Sequence, residues 1–272
     1  MIQNDYIFIF HLPQNIMFAY GELKHRRPEP EEKMEGSEAI QFFKAKYKRS
    51  KGIRSYDIVV TNIFSKYEIV SGSKNISGSV LDVGCGYGDL IRYLHHTKPE
   101  LDLVGIDASK TLLDVAKRLF KSQNIRFFLE HADKMHFKDN TFDIVVCKDT
   151  FHHFSNPVKI LKEMHRVAKK DSMIYITDLK RDSDKKIILS VINDISKDNL
   201  THAAYYINSI KASYTIIEMK RLFKTAGIKN YEIYDFKSDK KIISLIKTVA
   251  DKKRRHSLSD FIDDRWTAVI RK

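Results

Sequence analysis

Val80-Leu81-Asp82-Val83-Gly84-Cys85-Gly86-Tyr87-Gly88 reads as an apolar strand that runs into three glycines at alternate positions, with a helix-like segment behind them. Glycine lets the backbone turn sharply and come close to a ligand with no Cβ in the way. A loop of this kind at the end of a first parallel strand is the mouth of a nucleotide-type cofactor site. The spacing is G-x-G-x-G, whereas the dinucleotide fingerprint is G-x-G-x-x-G.

Working outward, the chain alternates strand and helix. Apolar strands are predicted at Ser79–Val83, Leu101–Ile106, Ile125–Leu129, Phe142–Cys147 and Met173–Thr177. Helices are predicted at Asp89–His96, Lys110–Phe120 and Pro157–Ala168. Short apolar strands between amphipathic helices indicate a parallel sheet covered on both faces. Thr215-Ile216-Ile217-Glu218 has capping-box spacing, so a helix starts there and stops at Gly227. Further strands are expected near Lys229–Phe236 and Arg265–Ile270, with 28 residues, Lys237 to Asp264, between them. Upstream, residues 1–36 read as an irregular extension and 37–78 as a helical cap before the main domain, 79–272.

Three downstream segments carry polar groups to strand ends. Gly105-Ile106-Asp107-Ala108-Ser109 puts Asp107 at the end of strand two, 23 positions after Gly84. An acidic side chain there can accept from ribose hydroxyls, or it can cap the next helix, a role open to Ser109 as well. Glu130-His131-Ala132-Asp133-Lys134-Met135-His136-Phe137 follows strand three. Lys148-Asp149-Thr150-Phe151-His152-His153-Phe154 follows strand four.

In this order the segments resemble the class I S-adenosylmethionine-dependent methyltransferases, and among them the small-molecule enzymes of the ubiquinone/menaquinone C-methyltransferase group. The resemblance covers about Ser79–Asp178 and, weakly, the C-terminal helix and strands. It implies a Rossmann-like α/β fold with a seven-stranded, mostly parallel sheet, N-terminal helices, and an insertion, 237–264, between the last two strands. It implies S-adenosyl-L-methionine as cofactor, with S-adenosyl-L-homocysteine as product. Asp82, Gly84, Cys85 and Gly86 would line its methionyl part, and Asp107 and Ala108 its ribose. Ala132, Asp133, Lys134 and Met135 would stand near the adenine, and Lys148 and Asp149 near the methionyl tail. The chain departs from the family pattern at Ala168-Lys169-Lys170-Asp171-Ser172, where a proline and two glycines are missing; this puts the turn before strand five in doubt.

His152 and His153 stand at the carboxyl edge of the sheet, where such folds bind ligands. Either can serve as a general base, or the pair packs the loop; His153 is the first choice and His152 the second. Cys85 reads as a small filler rather than a nucleophile. No metal-ligand spacing stands out, and the expectation is no metal. Nucleic-acid amino-methylation and cytosine C5 signatures are missing after strand four.

The net charge of +13 admits an anionic partner, such as an acidic small molecule or RNA, although solvated surface lysines give the same number. The expected acceptor is a small molecule. The alternatives are an RNA- or protein-directed methyltransferase, or a cofactor-binding protein without transfer activity. Lys44 to Arg54, with six basic residues in eleven, and Lys252-Lys253-Arg254-Arg255 are the basic stretches. Specificity is expected from the N-terminal helices, a lid at 182–213 and the 237–264 insertion. Phe42, Phe43, Tyr47, Tyr56, Tyr205, Tyr206 and Tyr214 are its aromatic candidates or core. Two cysteines suggest a reducing, cytoplasmic compartment. No apolar run approaches the roughly 18–20 residues of a membrane span.

Overall fold

The computed structural model describes residues 23, 25–29, 35–37, 39–41, 43–44, 55–120, 122, 124–198, 200–240, 243–244 and 264–272. Most of Lys44–Arg54, with Phe42 and Tyr47, lies outside them. So do most of the 237–264 insertion, Lys252–Arg255 and most of the N-terminal extension.

The elements follow in the order α1 (Ser55–Ser71), β1 (Ser79–Val83), α2 (Asp89–Thr97), β2 (Asp102–Asp107), α3 (Lys110–Leu119), β3 (Ile125–Leu129) and β4 (Phe142–Lys148). A 3-10 turn (Phe151–His153) leads to α4 (Pro157–Val167), β5 (Ala168–Leu179), α5 (Lys185–Asp198), α6 (Leu200–Ala212), α7 (Ile216–Ala226), β6 (Tyr231–Asp235) and β7 (Arg265–Arg271). The sheet has seven strands in the order β3-β2-β1-β4-β5-β7-β6. The β1, β2, β3, β4 and β5 pairings are parallel, and β7 runs antiparallel to both β5 and β6. Strand order therefore reverses between β1 and β4, and a crevice opens there at the carboxyl ends, as open α/β sheets require.

Strands β1, β2 and β4 are buried along most of their length, because helices cover both faces. One core lies between the sheet and α1 and α2, built around Ile58, Ile63, Leu94, Leu103 and Tyr175. The other lies under α4 and α7, around Leu81, Val145, Leu161, Phe223 and Trp266. Asn62 of α1 accepts from the buried Tyr175 hydroxyl at 2.8 Å, which ties α1 to the middle of β5. Helices α5 and α6 make a smaller core of their own, with Ile188, Ile192, Ile207 and Ile210 against Leu179.

Local signals act as expected. Thr215 Oγ1 accepts from the Glu218 N–H at 3.2 Å, and Glu218 accepts from the Thr215 N–H at 2.9 Å, so the capping box at the start of α7 is complete. The segment before β5 turns without proline or glycine. β5 begins at Ala168, opposite Phe142, and its register then slips so that Met173 faces Ile144. Asp171 takes a left-handed φ of 58° at the bulge. Its N–H donates to the Lys272 carbonyl at 2.9 Å, and Ser172 Oγ donates to the Lys169 carbonyl at 2.6 Å. Aspartate tolerates that conformation better than most residues, which is why the missing glycines do not break the strand.

Candidate functional site

The three glycines after β1 all have positive φ: 74° at Gly84, 55° at Gly86 and 81° at Gly88. At Gly84 a Cβ would stand 2.1 Å from Thr150 Cγ2, so the loop from β1 and the loop from β4 touch at a place where only glycine fits. The Gly84 and Cys85 N–H groups both donate to the Ile106 carbonyl, at 2.8 and 2.9 Å, and fold the loop over the end of β2. Thr150 Oγ1 donates to the Gly84 carbonyl at 3.0 Å from the other side.

Asp107 is the group that fixes this loop. One carboxylate oxygen accepts from the Gly86 N–H at 2.8 Å and the other from the Ser109 N–H at 2.8 Å. Ser109 caps α3 by accepting from the Leu112 N–H at 3.1 Å, so the helix-capping alternative for Asp107 is already filled. Each oxygen of Asp107 keeps a second lone pair. Burial pushes its pKa up, against the two backbone donors that favour the charged form. Asp82, one strand away and 3 % exposed, is pushed up to about 7, chiefly by burial. Lys148 works against that rise and Asp107 adds to it.

These groups line a cavity of about 590 Å³ at the strand-order reversal. It lies within the range of roughly 300–1,000 Å³ in which small ligands bind. Among the sequence-nominated residues, Asp82, Gly84, Cys85, Gly86, Asp107, Ala108, Ala132, Asp133, Lys148, Asp149, His152 and His153 line it. Lys134 and Met135 do not; Met135 is buried in the core under α4, 5 % exposed. Asp133 stands at the rim, paired with Lys159 at 2.9 Å. Burial, and after it Asp107, raises the Cys85 thiol well above its usual range, which suits a filler and not a nucleophile.

On the β4 side, Asp149 has a left-handed φ of 54° and contacts the Lys148 ammonium. It also accepts from Arg265, at the start of β7, at 2.7 Å. The Lys148 ammonium lies 4.7 Å from the centre of the Tyr56 ring. Tyr56, Tyr205 and Tyr206 reach the cavity, whereas Tyr214 packs against Phe151 and Phe43 against Tyr87.

At the far end His152 is buried. Its Nδ1 lies 2.7 Å from Asp178 at the end of β5, and its N–H donates to the same carboxylate at 2.9 Å. Burial opposes a charge on the His152 ring, but Asp178 outweighs it and leaves the imidazole above its usual pKa. His153 is half-exposed and contacts Glu29. Glu29, Asp178 and Arg265 were not nominated from sequence. Asp178 follows an apolar run, but its place beside His152 depends on the β4–β5 pairing; Glu29 and Arg265 come from segments remote in sequence that fold back.

Residues 81–176 match the family model described as a methyltransferase domain. The chain is 32% identical over 100 residues to a demethylmenaquinone methyltransferase from Thermotoga maritima, an alignment that covers 37% of this chain and 43% of that protein. It is 28% identical over 208 residues to a tRNA U34 carboxymethyltransferase from Sulfurimonas denitrificans, covering 73% of this chain and 64% of the relative. The chain thus spans less than two thirds of the length of these relatives. Among solved structures, the plantazolicin methyltransferase BamL, crystallised with a triazolic desmethylPZN analog and SAH, superposes with a TM-score of 0.64 at 22% identity over 85% of this chain and 93% of that one. Among the described residues no helix is long and apolar enough to cross a membrane.

Proposed function

We propose, from the premise that this chain belongs to the class I S-adenosylmethionine-dependent methyltransferases through its domain at 81–176, that it transfers a methyl group from S-adenosylmethionine to a small-molecule acceptor. The observation that carries the reading is a pair of carboxylates, the buried Asp82 and the half-buried Asp107, at adjacent strand ends beside a glycine loop that Asp107 itself holds. That acceptor set suits a ligand with a diol at one end and an amino-acid ammonium at the other. The space beside Gly86, where an added Cβ would meet nothing closer than Leu112 at 3.9 Å, leaves room for close approach.

When bound, S-adenosylmethionine supplies an electrophilic methyl group on a sulfonium. The chain's residues then have three tasks. Asp107 accepts from the ribose hydroxyls with the lone pairs its backbone donors leave over. Asp82, with the Gly84–Gly86 backbone and the Lys148–Asp149 pair, orients the amino-acid tail. Ala132 and Asp133 border the adenine. Holding donor and acceptor in line can supply on the order of 7–11 kcal/mol in favourable cases, so positioning is the chain's main contribution.

The acceptor lies toward His152, His153 and α6, where Tyr205, Tyr206 and Ser209 border the cavity. The methylation of demethylmenaquinone by a relative supports a small, partly apolar acceptor. RNA is the second reading, favoured by the +13 charge and by the tRNA-modifying relative that aligns with 73% of this chain. An RNA acceptor would bind with a steep loss of affinity as salt rises.

The cofactor reading is tested by pH. With Asp82 pushed up to about 7 in the free protein, the ammonium of the amino-acid tail binds its ionised form and releases a proton. S-adenosylhomocysteine, which keeps the ammonium, should bind about tenfold more weakly at pH 6 than at pH 8 in isothermal titration. In Asp82→Asn that slope should vanish; a slope that persists unchanged removes Asp82 from the tail. The sign for folding is opposite. An unfolded aspartate titrates near 3.9, so Asp82 holds more protons in the folded state and its contribution to stability falls as pH climbs from about 4 to 7.

A further inference from the structure

We infer that Glu29, His152 and His153 form a binding site for a divalent transition-metal cation at the acceptor end of the cavity. One ligand atom from each lies within 4.8 Å of the other two. The two imidazoles come from successive residues of the turn after β4, with ring centres 4.0 Å apart. The carboxylate comes from a segment more than a hundred residues upstream. That segment is held in place: the Arg27 N–H donates to the Lys211 carbonyl at 3.0 Å, and Arg26 donates to the carbonyls of Ala212 at 2.6 Å and His152 at 3.0 Å. Ser209 Oγ donates to the second oxygen of Glu29 at 3.0 Å.

The independent sign of a ligand is His152. Its side chain is 3% exposed, and its Nε2 is buried with no hydrogen-bond partner. Asp178 explains the arrangement: in the neutral ring with Nδ1 donating to its carboxylate, Nε2 carries the lone pair that a metal would take in place of a proton. Asp178 is fixed in turn by the N–H groups of His152 and Leu179, at 2.9 and 2.7 Å. A carboxylate behind a histidine in this way is the usual outer support of a metal-bound imidazole.

Two imidazoles and one carboxylate suit zinc, cobalt(II) or nickel(II) better than magnesium or calcium, which take oxygen ligands. Three protein ligands leave a coordination position open, as in catalytic and not in structural zinc sites. All three line the cavity, so that position is available to an acceptor oxygen. This last step rests on the methyl-transfer reading; the cation site does not.

The test is titration of the full chain, first stripped with a chelator, with cobalt(II) chloride alone, followed by its visible ligand-field absorption, and with zinc by calorimetry. The expected result is one site with cobalt(II) bands in the intensity range of four- or five-coordination. His153→Ala and Glu29→Gln, both at the cavity surface, should each weaken binding by at least about tenfold, and Asp178→Asn by about 10–100-fold. Thermal melting and S-adenosylhomocysteine binding control for folding in each variant. Wild-type binding no tighter than that of Glu29→Gln and His153→Ala, or no saturable site, overturns the proposal. S-adenosylhomocysteine binding without metal binding removes the cation site alone. Metal binding without S-adenosylhomocysteine binding leaves the site standing and removes the methyl-transfer reading.

Discussion

Asp107→Ala should weaken S-adenosylhomocysteine binding by about 100- to 1,000-fold while the protein stays folded. The substitution removes two things together. It takes away the acceptor for two ribose hydroxyls, and charge-assisted hydrogen bonds contribute about 1.5–3 kcal/mol each. It also releases the Gly86 and Ser109 N–H groups, both held at 2.8 Å, so the glycine loop loses its anchor at β2. At 1.4 kcal/mol per factor of ten, the loss reaches three orders of magnitude if both hydroxyls are involved. Asp107→Asn keeps one acceptor oxygen and should fall between. Isothermal titration decides the matter: affinity within about threefold of wild type in Asp107→Ala would remove the ribose assignment.

The second large effect is expected from Gly84→Ala, and its readout is stability. A left-handed φ of 74° costs a residue with a Cβ about 1–2 kcal/mol, and that Cβ would lie 2.1 Å from Thr150 Cγ2. Thr150 has little freedom to move, because its hydroxyl shares its one hydrogen between the Gly84 and Lys148 carbonyls, at 3.0 and 3.1 Å. The sum is about 2–4 kcal/mol, or roughly 5–12 °C in Tm for a chain of this size. Gly86→Ala is the matched control, since it has a similar φ but open space beside it; it should cost only the backbone part. Thr150→Ser in the Gly84→Ala background removes the clashing methyl and should restore part of the loss, a coupling that a double-mutant cycle in thermal melts measures. Equal losses in Gly84→Ala and Gly86→Ala would show that the contact between the β1 and β4 loops does not matter.

The parts of this site that were legible in the sequence are those built from short-range geometry. Strand β1 has the bounds its apolar run predicts, and Asp107 sits at the end of β2, where the strand–helix alternation puts it. The capping box at Thr215 needs only four consecutive residues, and it forms. What stayed hidden depends on which strand ends meet. Asp178 supports His152 because β4 and β5 are neighbours in register, a pairing that fixes Asp178 beside the turn after β4. Arg265 reaches Asp149 because β7 runs antiparallel on β5, so its first residue, not its last, stands at the cavity. Glu29 carried no signal at all, since its place depends on hydrogen bonds from the Arg26 side chain and the Arg27 N–H to carbonyls at the end of α6. Met135, expected near the adenine, lies in the turn after β3 with its side chain in the core cluster that includes Val104 and Phe142, while Ala132 and Asp133 line the cavity.

A crystal structure of the full chain with S-adenosylhomocysteine tests the central claim most directly. The predicted result is a ligand in the cavity between the ends of β1 and β4, with both ribose hydroxyls donating to Asp107 and the amino-acid tail between Asp82 and the Gly84–Gly86 loop. A nucleoside bound elsewhere, or bound in the cavity with its ribose away from Asp107, would contradict it.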